Sequence, residues 1–308
     1  MSASGSKKAI LAALGANAGI AVAKFAGFLI TGSSSMLAES VHSVADTSNQ
    51  GLLLWGQNRA EQQPDQLHQF GYGRSRYFYS FVVALVLFSL GSMFAIYEGL
   101  HKIEHPEPLT SPMVAIVILV IAMGLEGFSW FTAVRESRPL KGRMSWWRFV
   151  RNSRNPELPV VLLEDTGALI GLVLALGGVG LTMATGDPVW DGIGTLCIGA
   201  LLGIIAIVLI VEMHSLLIGE GVSPEDEQVI RDAIVDHGHI ERVIHLKTQY
   251  LGPEEILLAA KIAVVPGLDI AAIAAAIDGA EARVRERLPA CRIIYLEPDL
   301  YRAAEIPG

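Results

Sequence analysis

Residues 36–50 read MLAESVHSVADTSNQ. Apolar sequence surrounds this stretch on both sides, yet it carries Glu39, His42 and Asp46 within two helical turns. An unpaired charge near a bilayer centre costs a few kcal/mol even on lenient scales, so three ionisable groups there need partners or a task. At 3.6 residues per turn His42 and Asp46 fall one turn apart on one face, with Glu39 one turn earlier. An imidazole nitrogen and a carboxylate oxygen at i and i+4 can converge on one cation, a ligand pair that suits zinc. The alternative is that His42 and Asp46 pair with each other, or with Lys24, to knit helices together.

A second intramembrane acid adds weight to the first reading. In LPVVLLEDTGALIGLVLALGG (158–178), Glu164 and Asp165 open a glycine-rich apolar run. Adjacent helical residues point about 100° apart, so only one of the two can share an axis with the 36–50 helix. Gly167, Ala168 and Gly171 are small enough to let two helices approach closely. His42, Asp46 and one of these carboxylates, completed by the other or by water, would form a four-coordinate site.

The rest of the chain agrees with a membrane setting. Its 308 residues are 52% hydrophobic and 18% charged, with mean hydropathy +0.45, too apolar for an ordinary soluble domain. Six apolar runs, at 9–31, 36–57, 77–100, 113–134, 158–184 and 189–212, are each long enough to cross a hydrocarbon core about 30 Å thick. The first could be mistaken for a signal peptide, but it is too long and lacks a convincing cleavage site. Short loops rich in Lys and Arg stay cytoplasmic. Lys7 and Lys8, then Arg59, Arg74 and Arg76, then the seven basic residues from Arg135 to Arg154 therefore place both termini in the cytoplasm. The net charge of −8 is concentrated in the tail, which argues against nucleic acid as a partner. Cys197 and Cys291 are too far apart in sequence and setting for a disulfide or a Cys-x-x-Cys zinc site.

From Pro224 onward charges recur every few residues, and the sequence predicts a small domain in the order α-β-β-α-β. SPEDEQVIRDAIVDH begins with a serine cap, IERVIHLKTQY and EEILLAAKIAVV flank a Leu-Gly-Pro turn, IAAIAAAIDGAEARVRERL is helical, and CRIIYLEP closes. The expected fold is an α-helical membrane protein: a six-helix transmembrane domain over 1–218 and a cytoplasmic α+β domain over 219–308. MSWWRFVRNSR (144–154) reads as an interfacial segment with Trp146 and Trp147 at headgroup depth. Asp187 and Asp191 read as caps for the sixth span or as an attraction for outgoing cations. Glu126 reads as a buried partner of Lys24 or as part of a proton route.

Taken together, these motifs resemble the cation diffusion facilitator family of divalent-metal transporters, nearly end to end. The similarity rests on six spans, HxxxD in the second (His42, Asp46), an acid in the fifth (Asp165), DPxxD opening the sixth (Asp187, Pro188, Asp191), HxFGYGRxR (His68 to Arg76), and the α-β-β-α-β tail, which the family forms as a ferredoxin-like unit. The resemblance implies a homodimer that exports zinc, or a related divalent ion, from the cytoplasm in exchange for protons by alternating access. It implies His42, Asp46 and Asp165 as ligands of the transported metal. Most members carry His or Asp four residues before the fifth-span acid, where this chain has Val161. Glu164, in the LLED that resembles the mitochondrial zinc-transporter branch, is then the candidate replacement.

An accessory metal site after the second span is implied by Asp65 and His68, with Tyr72 in place of a second histidine. Lys261 and Tyr295 stand where relatives place histidines in the tail, so a two-metal cytoplasmic site is not expected. His237 and His239 read as solvated surface. One nitrogen with carboxylates favours zinc first, with manganese, iron or cobalt as alternatives, over calcium or magnesium. A membrane-embedded metalloenzyme is the runner-up, although no HExxH or GxSxG set occurs. A cation channel fits poorly, because a tight site releases ions slowly. The expected setting is the bacterial cytoplasmic membrane, crossed several times, with lipid, protons and the metal as partners and no resident cofactor.

Overall fold

The computed structural model describes residues 3–236 and 238–301, with side chains from Asn17 onward except those of Leu140 and Asn152. The side chains of Lys7 and Lys8, and all of His237, lie outside the described residues. Two compact units emerge. One comprises Met1–Arg59 with Ser75–His214, and the other Ala60–Arg74 with Ser215–Gly308.

The first unit is helical throughout. Its elements are α1 (Ala3–Thr31), α2 (Ser34–Ala60), α3 (Ser75–Val86), α4 (Phe94–Glu104), α5 (Pro112–Lys141), α6 (Trp146–Asn152), α7 (Glu157–Thr185) and α8 (Val189–Ile218). α3 runs into α4 through a π-helical stretch, Leu87–Met93. There the Ser92 hydroxyl donates to the Gly199 carbonyl of α8 at 2.8 Å. Such wide turns arise where helix packing competes with regular backbone hydrogen bonding.

Four helices among the described residues are long and apolar enough to cross a membrane: Ser75–Glu104, Pro112–Pro139, Glu157–Thr185 and Val189–Ile218. α2 has 27 residues, ample length for a span, but its polar residues keep its mean hydropathy low. Those residues are buried against other helices, which is how a polar helix avoids lipid. α5 packs on α7 and on α1. The core gathers Met36, Leu87, Leu119, Leu172, Leu202 and Leu209, while Phe128, Ile204 and Val211 point outward, as lipid-facing side chains must.

The second unit has the order α9 (Pro224–Ile234), β1 (Ile240–Gly252), β2 (Glu255–Val264), α10 (Ile270–Arg287), β3 (Cys291–Asp299). This is the α-β-β-α-β order read from the sequence. Ser223 caps α9 by accepting from the Asp226 amide at 3.1 Å, and Asp269 caps α10 by accepting from the Ala272 amide at 2.8 Å. β2 is central, antiparallel to β1 and parallel to β3, as a helical crossover through α10 requires. Ile230, Ile234, Ile256, Leu258, Ile262 and Val284 fill the space between sheet and helices. The 60–74 loop packs against the β1–β2 turn so closely that a Cβ on Gly73 would lie 2.6 Å from the Leu251 carbonyl oxygen. Only glycine fits there.

Candidate metal-transport site

α2 carries Glu39, His42, Ser43, Asp46 and Asn49 at spacings of three and four, so all five share one face. That face is turned inward. His42 is 1% exposed, and Glu39, Ser43 and Asn49 are equally buried. His42 Nε2 lies 3.6 Å from Asp46 Oδ2, beyond a true hydrogen bond. Among the described residues, both ring nitrogens of His42 and Oδ1 of Asp46 have no hydrogen-bond partner. A buried polar atom left without one costs about 1–3 kcal/mol, so a cluster of three in one helical turn is a donor set waiting for an electrophile.

Glu39 has a different employment. Lys24 of α1, fully buried, sends its ammonium to Glu39 Oε2 at 3.0 Å and to the Ser43 hydroxyl at 2.9 Å. Lys24 is therefore committed to Glu39 rather than to His42, Asp46 or Glu126 as an ion-pair partner. Glu39 reaches α7 as well, since a Cβ on Gly171 would meet its Oε1 at 2.6 Å. The small residue there is what lets the charged pair fit between helices.

The two acids of α7 diverge as their 100° offset demands. Glu164, 5% exposed, faces α2 and accepts from the Asn49 amide at 2.6 Å. Asp165 faces α5 and accepts from the Ser129 hydroxyl at 3.0 Å, next to a bond from the Trp130 indole to Thr166 at 3.1 Å. Glu126 is buried on α5. His42 on α2, Glu164 on α7 and Glu126 on α5 are thus buried among the helices, and Asp165 is held by Ser129. Among the described residues, no three His, Cys, Asp or Glu side chains are drawn close enough to hold a metal ion between them.

Asn49 and Ser129, which orient the two acids, escape a reading of the sequence. Each lies three residues after an acid on its own helix, Asp46 and Glu126 respectively, and that spacing is the signal available.

The Asp191 side chain bonds another helix rather than capping its own. Fully buried at the start of α8, it accepts from the Ser33 hydroxyl at 2.9 Å, the Ser34 amide at 2.8 Å and hydroxyl at 3.0 Å, and the Ser35 hydroxyl at 2.5 Å. It caps α2 from another helix, placing a negative charge at that helix's positive end. Asp187 caps its own α8 locally, accepting from the Val189 amide at 3.0 Å.

In the second unit Asp65 and His68 adjoin, with Nδ1 of His68 3.3 Å from Oδ1 of Asp65, both half exposed. The Asp65 carboxylate already accepts from the Tyr72 hydroxyl and from the amides of Leu67 and His68. The Tyr72 bond, followed by the His68 and Leu67 amides, holds its pKa down to about 2. Lys261 lies across the β2–β3 ladder, bridging Glu297 at 3.2 Å and Asp299 at 3.1 Å. These bonds, Asp299's first, raise its pKa and keep the ammonium charged. The His239 ring lies 3.5 Å from Asp236 at the surface.

The fold and this polar interior define a multi-pass helical membrane protein built around buried ionisable groups. The chain belongs to the cation efflux family: the cation efflux transmembrane domain matches residues 10–218. Similar proteins include the human mitochondrial proton-coupled zinc antiporter SLC30A9, 35% identical over 78% of this chain and 42% of that protein. Metal tolerance protein C4 of Arabidopsis thaliana is 29% identical over 83% of this chain and 57% of its own length. The zinc transporter ZitB of Pectobacterium atrosepticum is 26% identical over 86% and 78%. The chain thus spans less than half the length of the SLC30A9 relatives. The family is one of transporters, so the metalloenzyme reading falls away.

Proposed function

We propose that this chain is a proton-coupled antiporter that exports a divalent metal, zinc first among the candidates, by alternating access. One observation carries the reading. The buried imidazole of His42 and the largely buried carboxylate of Asp46 keep unpartnered atoms among the described residues, on the α2 face that meets Glu164 of α7, while Asp165 beside Glu164 is turned to Ser129 of α5. The names of the SLC30A9 and ZitB relatives support zinc as cargo.

In this reading His42 and Asp46 supply two ligands from α2. Glu164 supplies a third from the same side of α7, standing in for the group that Val161 lacks, and Asp165 joins from its Ser129 bond. Ligands shed protons when they take up a cation and regain them on release, which couples the two fluxes at the same atoms. Six spans place both termini and the tail in the cytoplasm, with α1 and α2 completing the four apolar helices, and the tail, of ferredoxin-like type, joins two copies into a homodimer. The cytoplasmic membrane of a bacterium remains the setting that the sequence favours. Asp65 and His68 are retained as an accessory site only if metal displaces the Tyr72 hydroxyl.

Purified protein in vesicles with a metal-sensitive dye inside tests the activity. Zinc flux driven by an imposed proton gradient, and abolished when the gradient collapses, is the expected result. Flux indifferent to the gradient would overturn the antiport reading. Light scattering after chelation tests the dimer, which should persist without metal because Lys261 is held by carboxylates rather than available to a metal.

A further inference from the structure

The last turns of α5 and its connection to α7 together carry seven basic residues from Arg135 to Arg154 and one acid, Glu136. Within it, α6 is anchored by one face. Phe149, 2% exposed, and Val150 point into the unit, and Val150 packs with Val134 of α5 and Leu162 of α7. The opposite face is open: Trp147 is 58% exposed, and Trp146, Arg143 and Arg148 are exposed beside it. Lys141 lies over the Trp146 ring at 5.1 Å, and Arg151 is engaged by Glu212 at 3.1 Å. Among the described residues, Arg143 and Arg148 form no ion pair. The patch sits where two membrane-crossing helices end and begin.

We infer that this outward face of α6 binds the headgroups of acidic phospholipids, with Trp146 and Trp147 seated among the upper acyl carbons and Arg143 and Arg148 on the phosphates. Several observations select this occupant. Two exposed indoles at the end of a span match the apolar-to-wet boundary of a bilayer, where tryptophan concentrates. Guanidinium groups with no carboxylate partner among the described residues complement phosphate bidentately. An acidic soluble protein would leave the indoles without an apolar medium. Because Val150 bears on Leu162, two residues before Glu164, the lipid would steady the α7 turn that carries the site acids. That last consequence rests on the transport reading; the lipid site itself does not.

The test is tryptophan quenching in the full chain, reconstituted in vesicles containing brominated phosphatidylglycerol or brominated phosphatidylcholine at equal mole fraction. Subtracting a Trp146→Phe/Trp147→Phe variant isolates the α6 signal. The acidic lipid is expected to quench that signal more strongly, and Arg143→Gln/Arg148→Gln to lose most of the excess, at about fivefold in lipid association per basic residue. Arg143→Lys/Arg148→Lys, which keeps the charge, should retain the preference and controls for misfolding. Equal quenching by the two lipids, or an excess that survives the Gln variant, would overturn the proposal. So would loss of the excess on adding soluble inorganic phosphate, which would mark a phosphate-ion site, or on adding a polyglutamate peptide, which would mark a protein site. Quenching requires neither metal nor gradient, so failed flux in the same vesicles would count against the transport reading alone.

Discussion

Two aspartates, one meeting the start of α2 and one midway along it, serve opposite purposes. Asp191 of α8 meets the start of the helix, and both its oxygens are taken by serine hydroxyls and an amide. Asp46, three turns into α2, keeps Oδ1 without a partner beside an imidazole in the same condition. A buried carboxylate surrounded by donors is neutralised by its own protein and becomes a rivet. One left short of donors keeps its affinity for a cation. The comparison distinguishes structure from function by hydrogen-bond satisfaction, where burial alone does not.

The largest expected effect is at the unsatisfied end. His42→Ala or Asp46→Ala should reduce metal flux to the background of empty vesicles while expression, detergent extraction and elution stay normal, because each removes atoms the fold does not use. Normal flux in either variant would break the comparison. At the satisfied end the pattern should invert. Asp191→Ala removes the carboxylate that accepts from three serine hydroxyls and the first amide of α2, and leaves the Ser33 hydroxyl and the Ser34 amide without that acceptor, at a cost of about 3 kcal/mol or more. A thermal unfolding midpoint lowered by several degrees, with flux per folded molecule largely kept, is the expected result. A stable but inactive Asp191→Ala protein would instead mark the residue as part of the cation path.

Helical periodicity puts Glu39, His42 and Asp46 on one face, and composition identifies the membrane setting and the tail's α-β-β-α-β order. Neither reveals which helices touch. Lys24 therefore reads equally well as a partner of His42, Asp46 or Glu126, and only the fold commits it to Glu39 and Ser43. Asp191 reads as a cap for its own helix because capping is local in sequence, whereas here it reaches across 157 positions to Ser34. The π-helical stretch before α4 likewise answers to Gly199 and Gly203 on α8, residues more than a hundred positions away. The 100° offset of Glu164 and Asp165 is legible. Which of them faces α2 depends on Asn49 and Ser129, polar residues that carry no charge to announce them.

The α7 pair gives an intermediate effect. Glu164→Gln should weaken zinc binding about as much as Asp165→Asn, roughly tenfold or more for a lost carboxylate ligand, and Val161→His should restore binding to the Gln variant. Asn49→Ala, which only frees Glu164, should cost less than Glu164→Gln. Titration calorimetry in two buffers of different ionisation enthalpy reads affinity and proton release together. Unchanged affinity in Glu164→Gln would leave that acid as a packing group bonded to Asn49 and reduce the protein ligands to three.

The smallest effect is expected at Asp65, where satisfaction occurs in the open. Tyr72 and the His68 and Leu67 amides hold its pKa near 2, below an ordinary aspartate near 3.9. A carboxylate depressed by folding favours the folded turn above its unfolded pKa, and that contribution is lost as pH falls through about 2. Near neutral pH the turn is insensitive to pH. Tyr72→Phe removes the largest of the causes, so the Asp65 midpoint, followed by carbon-13 resonance of labelled aspartate in the full chain, should climb toward the ordinary range. If it stays near 2, the amides alone hold the turn. The same resonance settles the accessory site. Zinc can coordinate Asp65 only by displacing donors that already occupy both oxygens, so at neutral pH the wild-type signal should not move with zinc. A shift in wild type comparable to that in Tyr72→Phe would show that metal outcompetes a fully satisfied carboxylate. Satisfaction would then cease to separate rivets from ligands outside the membrane, and the comparison would hold for the buried pair alone.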